Sequence, residues 1–147
     1  MKRLLVIVIA FFVAITIIDC SKSTAYGSEE AIKRGDVVYR NEVHNLGRFE
    51  QFLNNVANKK KDTIRITGYT KEGDPIFQDL QFDGKIIQNT YNNSNDEYAG
   101  EDKGIETDVC TEIIQEEKVQ GEVEFLISGC SKDLDHFLLS VKKNKLK

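Results

Sequence analysis

The sequence predicts an α+β domain in which one amphipathic helix packs on an antiparallel β-meander. Three observations carry this. Apolar residues recur at helical spacing once, over residues 46–56. From residue 62 onward the apolar period drops to two. Short turn signals built on Gly, Asp and Asn separate the period-two runs. A sheet can bury such a helix on one face while its other face stays wet.

The chain opens on a positive pair, Lys2 and Arg3, followed by an apolar run from Leu4 to Ile18 broken only by Thr16. That run of 15 residues suits a signal-peptide core and falls short of the roughly 20 that span a bilayer. Asp19 ends it. The stretch predicts export, with residues 1–27 as leader and tether and 28–147 as a single domain. Three fates follow, in order of fit. Cys20 is the lipid-bearing cysteine of a lipoprotein, and the polar Ser21-Lys22-Ser23 is its tether. Alternatively, Ala25-Tyr26-Gly27 is a small-x-small site cleaved before Ser28, and the protein is secreted. Third, the leader remains as an uncleaved anchor. Ile17 fits the lipoprotein pattern; Ile18 and Asp19 depart from it, where small residues are usual. The membrane enters only through that lipid.

Residues 21–35 are polar and read as flexible. Asp36 to Arg40 reads as a short strand. Asn45 is placed to cap the helix whose apolar face is Leu46, Phe49, Phe52, Leu53 and Val56. Lys59, Lys60 and Lys61 follow at its C-terminal end, where positive charge suits the helix dipole. Ile64 and Ile66 alternate with Arg65 and Thr67. Lys71 to Asp74 is a turn, and Pro75 to Phe82 a strand, with Pro75 tolerable at its start or on an edge. Asp83-Gly84 signals a two-residue hairpin, with Lys85 to Tyr91 as the return. Asn92 to Gly104 is a polar loop. Strands follow at about 105–115 and 122–130, and His136 to Val141 forms the last, before a charged tail from Lys142 to Lys147. The order resembles a cystatin-like layout, an analogy of arrangement that carries no function.

Beyond the leader, two cysteines remain, Cys110 and Cys130. In an exported protein such a pair predicts a disulfide. If the last long hairpin turns near Gln120 and Gly121, Cys110 faces Cys130 and Ile114 faces Leu126. The functional alternative is a redox or metal site; metal would need further Cys or His ligands at short spacing, and the sequence offers none, so the structural disulfide is the expectation and metal is not.

The stretch "IRITGYTKEGDPIFQDLQFDGKII" over residues 64–87, with "RFEQFLNNV", "DKGI" and the "SGC" that contains Cys130, resembles a family of small exported Gram-positive proteins. Many carry a lipoprotein signal; the family is catalogued as domain of unknown function 4362. The resemblance covers roughly residues 35–131, and Glu72 to Ile76 is its most specific part. It implies a cysteine pair like Cys110 and Cys130, and it implies no catalytic residue. Asp19 before Cys20 departs from the usual lipoprotein signal.

Composition removes several function classes. Outside residues 1–27, 17 basic residues face 23 acidic ones, a net charge of about −6, and the chain has no Trp. Nucleic-acid binding begins with phosphate neutralisation, which this charge opposes. His44 and His136 lie in no triad or metal spacing. Isolated glycines form no phosphate loop. The acidic loop 92–102 is dense in oxygen ligands, but aligning Asn93 as the first calcium position puts Tyr98 where Gly belongs. Glu72 and Asp74 could pair as acid and base; adjacent carboxylates in a turn more often serve the turn. The terminal lysines could touch anionic polymer, although a solvated tail is their ordinary role. No catalytic residue and no cofactor is therefore expected. The expected function is a non-enzymatic, envelope-associated module binding a protein, peptide or wall component. A small carboxylate-dependent hydrolase and a calcium-dependent adhesion module are the alternatives.

Overall fold

The computed structural model describes residues 26–146. Cys20 and the leader lie outside them. The first element corrects the expected flexible stretch. Helix α1, Ser28–Arg34, has Glu29 and Glu30 in its first turn, Lys33 and Arg34 in its last, and ends at Gly35 in the left-handed conformation. Its charges complement the helix dipole at both ends. Only Ala31 is buried, so the helix has no apolar stripe for periodicity to detect.

Strands β1 (Val37–Tyr39) and β2 (Val43–His44) form a short antiparallel ribbon. Helix α2, Leu46–Ala57, follows as expected, with Phe49 and Phe52 fully buried. Each buried phenylalanine contributes on the order of 1.5–3 kcal/mol. Asn45 does not cap it by its side chain. It sits at φ 56°, and its Nδ2 donates to the carbonyls of Ile32 and Asp36 instead. Asn tolerates this backbone region, and the bonds tie the end of α1 to the start of α2. On α2, Arg48 grips Asp62 with both Nη atoms at 3.0 and 2.6 Å, and Asn55 donates to the same carboxylate at 2.8 Å. Burial pushes the Asp62 carboxyl up, but these donors and the Thr63 amide outweigh it and hold the group below its ordinary value.

Strands β3 (Asp62–Tyr69), β4 (Pro75–Phe82), β5 (Ile87–Asn92) and β6 (Ile105–Cys110) form the expected antiparallel meander. Pro75 is the first residue of its strand, where its missing N–H costs least. The hairpin after β4 is displaced from the expected centre. Phe82 pairs with Ile87, and the Asp83 carboxylate accepts from the amides of Lys85 and Ile86. Asp83 thus opens the turn and Gly84, at φ 104°, takes its left-handed position.

Two features depart from a plain meander. The sheet is mixed, in the order β2-β1-β3-β4-β5-β6, because β1 runs parallel to β3. The expected long strand at 105–115 is broken at Thr111, and β7 (Glu112–Lys118) leaves to form a second, antiparallel sheet with β8 (Glu122–Ser128) and β9 (His136–Lys142). Ile114 pairs with Leu126, as the hairpin arithmetic expects. One core joins α2 to both sheets: Phe49 meets Phe125 edge-on, with ring centroids 5.0 Å apart, among Leu80, Ile87, Ile127 and Leu139.

The far side of the first sheet is covered at one end by the segment around α1. The Tyr26 ring stands edge-on to Phe77, and the buried Asp36 carboxylate accepts from the Tyr26 and Thr67 hydroxyls at 2.8 and 2.6 Å. Burial, with the Asp36 hydrogen bond and charge, pushes the Tyr26 phenol up to about 12. No helix among the described residues is long and apolar enough to cross a membrane.

Candidate functional site

The disulfide joins Cys110 and Cys130 across 20 residues. Cys110 is the last residue of β6, Thr111 makes the crossing, and its amide donates to the Ser128 carbonyl. The staple therefore sits where the chain passes from one sheet to the other.

Around it the fold gathers side chains that sequence spacing keeps apart. The Asp108 carboxylate is buried in the adjacent row of β6. Its Oδ1 accepts from the Ser131 hydroxyl at 2.5 Å, and its Oδ2 lies 3.0 Å from His136 Nε2. The Ser131 and His136 hydrogen bonds hold the Asp108 carboxyl far below the usual carboxylate range. This is not a hydrolytic triad. The serine donates to the carboxylate rather than to the histidine, so the imidazole is not placed to take its proton. Ligand atoms of Asp108, Cys110, Cys130 and His136 all lie within 4.8 Å of one another.

The other candidates behave as turn chemistry. Glu72 is exposed, and among the described residues the Asp74 carboxylate receives the Glu97 amide, at 3.4 Å. In the 92–102 loop the Asp96 carboxylate accepts from the Tyr98 amide, and Asn93 closes the loop by bonding the Asp102 carbonyl and the Gly104 amide. These oxygens serve their own loop, and among the described residues the acidic groups of the loop gather into no metal-type cluster. His44 is exposed on β2. The lysine tail is drawn into the fold: Lys143 pairs with Glu117 at 2.6 Å and Lys145 with Glu42 at 3.1 Å.

One concave feature, on the first sheet, escaped sequence reasoning. A cleft of about 520 Å³ lies between Tyr39 of β1, Ile66 and Gln78 of the first sheet, Tyr91 of β5, and Phe137 of β9. Such a volume is typical of a ligand site. Ile66, Gln78 and Tyr91 are register neighbours across β3, β4 and β5, which puts them in one row of the sheet. Tyr39 and Phe137 close its end with ring centroids 5.8 Å apart. Gln78 donates to Asn89, which keeps the polar floor satisfied. Tyr91 and Phe137 are 38% and 44% exposed, so apolar ring surface is open to a ligand.

Arg40 and Lys71 stand at the lip, and neither forms an ion pair among the described residues. A second depression of about 230 Å³ continues past Tyr39, Arg40 and Asn41 to Ser140, Val141 and Lys142. Both are walled by β9, which pairs with β8 on one side and with no strand on the other among the described residues. The signal that could have found this groove is the apolar alternation of β9, in which Phe137 stays half-exposed.

Comparison with known proteins adds one finding. A family model described as Domain of unknown function (DUF4362) matches residues 34–124, more than half of the chain, from the end of α1 into β8. Cys130, His136 and β9 lie beyond the matched segment. No curated protein and no solved structure matches.

Proposed function

Because the chain belongs to the family described as Domain of unknown function (DUF4362), whose description assigns no activity, we propose a function from its own geometry. It is an exported, envelope-associated binding module that takes an extended peptide along the free edge of β9. The observation that carries this reading is the unpaired edge of β9 lying against two linked depressions. A free strand edge offers backbone donors and acceptors to a peptide that adds as a further strand, while flanking pockets select its side chains. The aromatic cleft of Tyr39, Tyr91 and Phe137 suits an apolar side chain. Arg40 and Lys71 suit an acidic one beside it. Export is supported by Lys2, Arg3 and the apolar run to Ile18, and a disulfide is compatible with an oxidising compartment. Lipid on Cys20 would tether the module at the outer face of the membrane.

The test is fluorescence anisotropy of short labelled peptides alternating β-branched and acidic residues, titrated with the full chain. Saturable binding is expected, weakened by about tenfold or more in Phe137→Asp and in Arg40→Glu, a loss of roughly 1.4 kcal/mol. Absence of saturable binding across the panel, or binding indifferent to both substitutions, would overturn the proposal.

A further inference from the structure

We propose that Asp108, Cys110, Cys130 and His136 form a four-coordinate zinc-type site when the disulfide is reduced, so that the staple and the metal are alternative occupants of one place. The two sulfurs, one imidazole nitrogen and one carboxylate oxygen all lie within 4.8 Å of one another. A tetrahedral zinc with bonds of about 2.0–2.3 Å holds its ligand atoms roughly 3.3–3.8 Å apart. The His136–Asp108 contact already stands at 3.0 Å, and breaking the sulfur–sulfur bond frees the two sulfurs to part to that spacing.

The donor set is that of zinc: thiolate, imidazole and carboxylate together, rather than the oxygen cage of calcium or magnesium. Asp108, Cys110 and Cys130 are buried, and His136 is half-buried at the opening. A small hollow of about 60 Å³ beside Asp108 and His136, bordered by Asn89 and Tyr91, gives an entry path. The outer contact is also present. The Ser131 hydroxyl holds Asp108 Oδ1, leaving Oδ2 for the metal, and such support orients a ligating carboxylate. Sequence spacing concealed this set because Asp108 and Cys110 stand two residues apart on β6 while Cys130 and His136 arrive after the β7–β8 hairpin.

The chemistry balances with a dithiol as reductant. Its two thiols give up two electrons and two protons and close to a disulfide. The Cys110–Cys130 sulfur–sulfur bond breaks and both sulfurs become thiols. Zinc then enters, two zinc–sulfur bonds form, and the two thiol protons pass to water. A small-molecule disulfide reverses this: it takes two electrons from the Cys110 and Cys130 thiolates and two protons from water, leaves as two thiols, and the protein disulfide re-forms as the metal is released.

The experiment titrates Co²⁺ into the full chain carrying Cys20→Ser, in detergent, after reduction with a phosphine that is then removed. The expected result is one Co²⁺ per chain, with a sulfur-to-cobalt charge-transfer band and the intense visible bands of tetrahedral cobalt, all abolished by added Zn²⁺. The oxidised chain should give none of this. His136→Ala, reduced, should weaken binding by more than the 10–100-fold typical of losing an outer-shell partner. If reduction alone unfolds the chain, Zn²⁺ should restore its far-ultraviolet signal, and His136→Ala should prevent that recovery. A reduced chain that takes up no Co²⁺, or one whose uptake is unchanged by His136→Ala, overturns the proposal.

Discussion

The Asp108 carboxylate accepts from the Ser131 hydroxyl and the Val109 amide on one oxygen and meets His136 on the other. It thereby fixes the Ser131 segment and the start of β9 against β6. Its pKa in the fold lies below the unfolded value of about 3.9. The stability this contributes is fully present above that value and is lost as pH falls through the lower, folded value. Asp108→Asn should therefore lower the urea midpoint at pH 7. It should also flatten the fall of that midpoint between about pH 5 and pH 2, measured beside the parent chain. Gly129 makes a second residue-scale claim. It sits at φ 63°, and an added Cβ would run into the Thr111 hydroxyl at the sheet crossing. Gly129→Ala should cost about 1–2 kcal/mol for the backbone alone, read as a lowered denaturation midpoint, and Thr111→Ala in the same chain should return part of it. A neutral Gly129→Ala would contradict this account of the crossing.

Among the elements, what was legible in the sequence is what local pattern can encode. The α2 stripe of Phe49, Phe52, Leu53 and Val56 repeats at helical spacing. The β7–β8 hairpin announces itself by two apolar stretches, Ile113-Ile114 and Val123 to Ile127, about Gln120 and Gly121. Other elements carry no such pattern. Helix α1 buries only Ala31, so its stability comes from its ends and its neighbours. The parallel contact of β1 with β3 depends on where α2 carries the chain, which no local period records. Asn45 reads as a cap because Asn serves both N-caps and left-handed corners. Only the arrival of Ile32 and Asp36 decides between them. The break at Thr111 is likewise tertiary: the sequence through 105–118 has no Gly or Pro to mark a change of sheet. The disulfide across this break leads to an element-scale prediction. Closing a loop of 20 residues is worth about 3 kcal/mol in the chain-entropy model. Reduction in metal-free buffer should lower the urea stability by that order, and stability unchanged by reduction would count against a structural staple.

For the whole molecule, the groove and the cysteine cluster were hidden for one reason. Tyr39, Tyr91 and Phe137 come from three strands far apart in sequence, as do Asp108 and His136. The fold brings the cysteine cluster together because β6 ends beside the return of β8 and the start of β9. The same geometry gives β9 a free edge, with the hairpin of β1 and β2 across a cleft from it. A peptide lying there would contact both sheets, and binding should also raise the thermal midpoint, with the stabilisation growing as the logarithm of ligand concentration over dissociation constant. The most direct measurement is backbone hydrogen exchange of residues 136–142 in the full chain, with and without a saturating peptide from the panel. Strand addition predicts slowed exchange at alternate amides of β9, with slower exchange also at residues 39–41. Exchange in β9 unchanged by a peptide that is demonstrably bound would contradict the groove as the binding site.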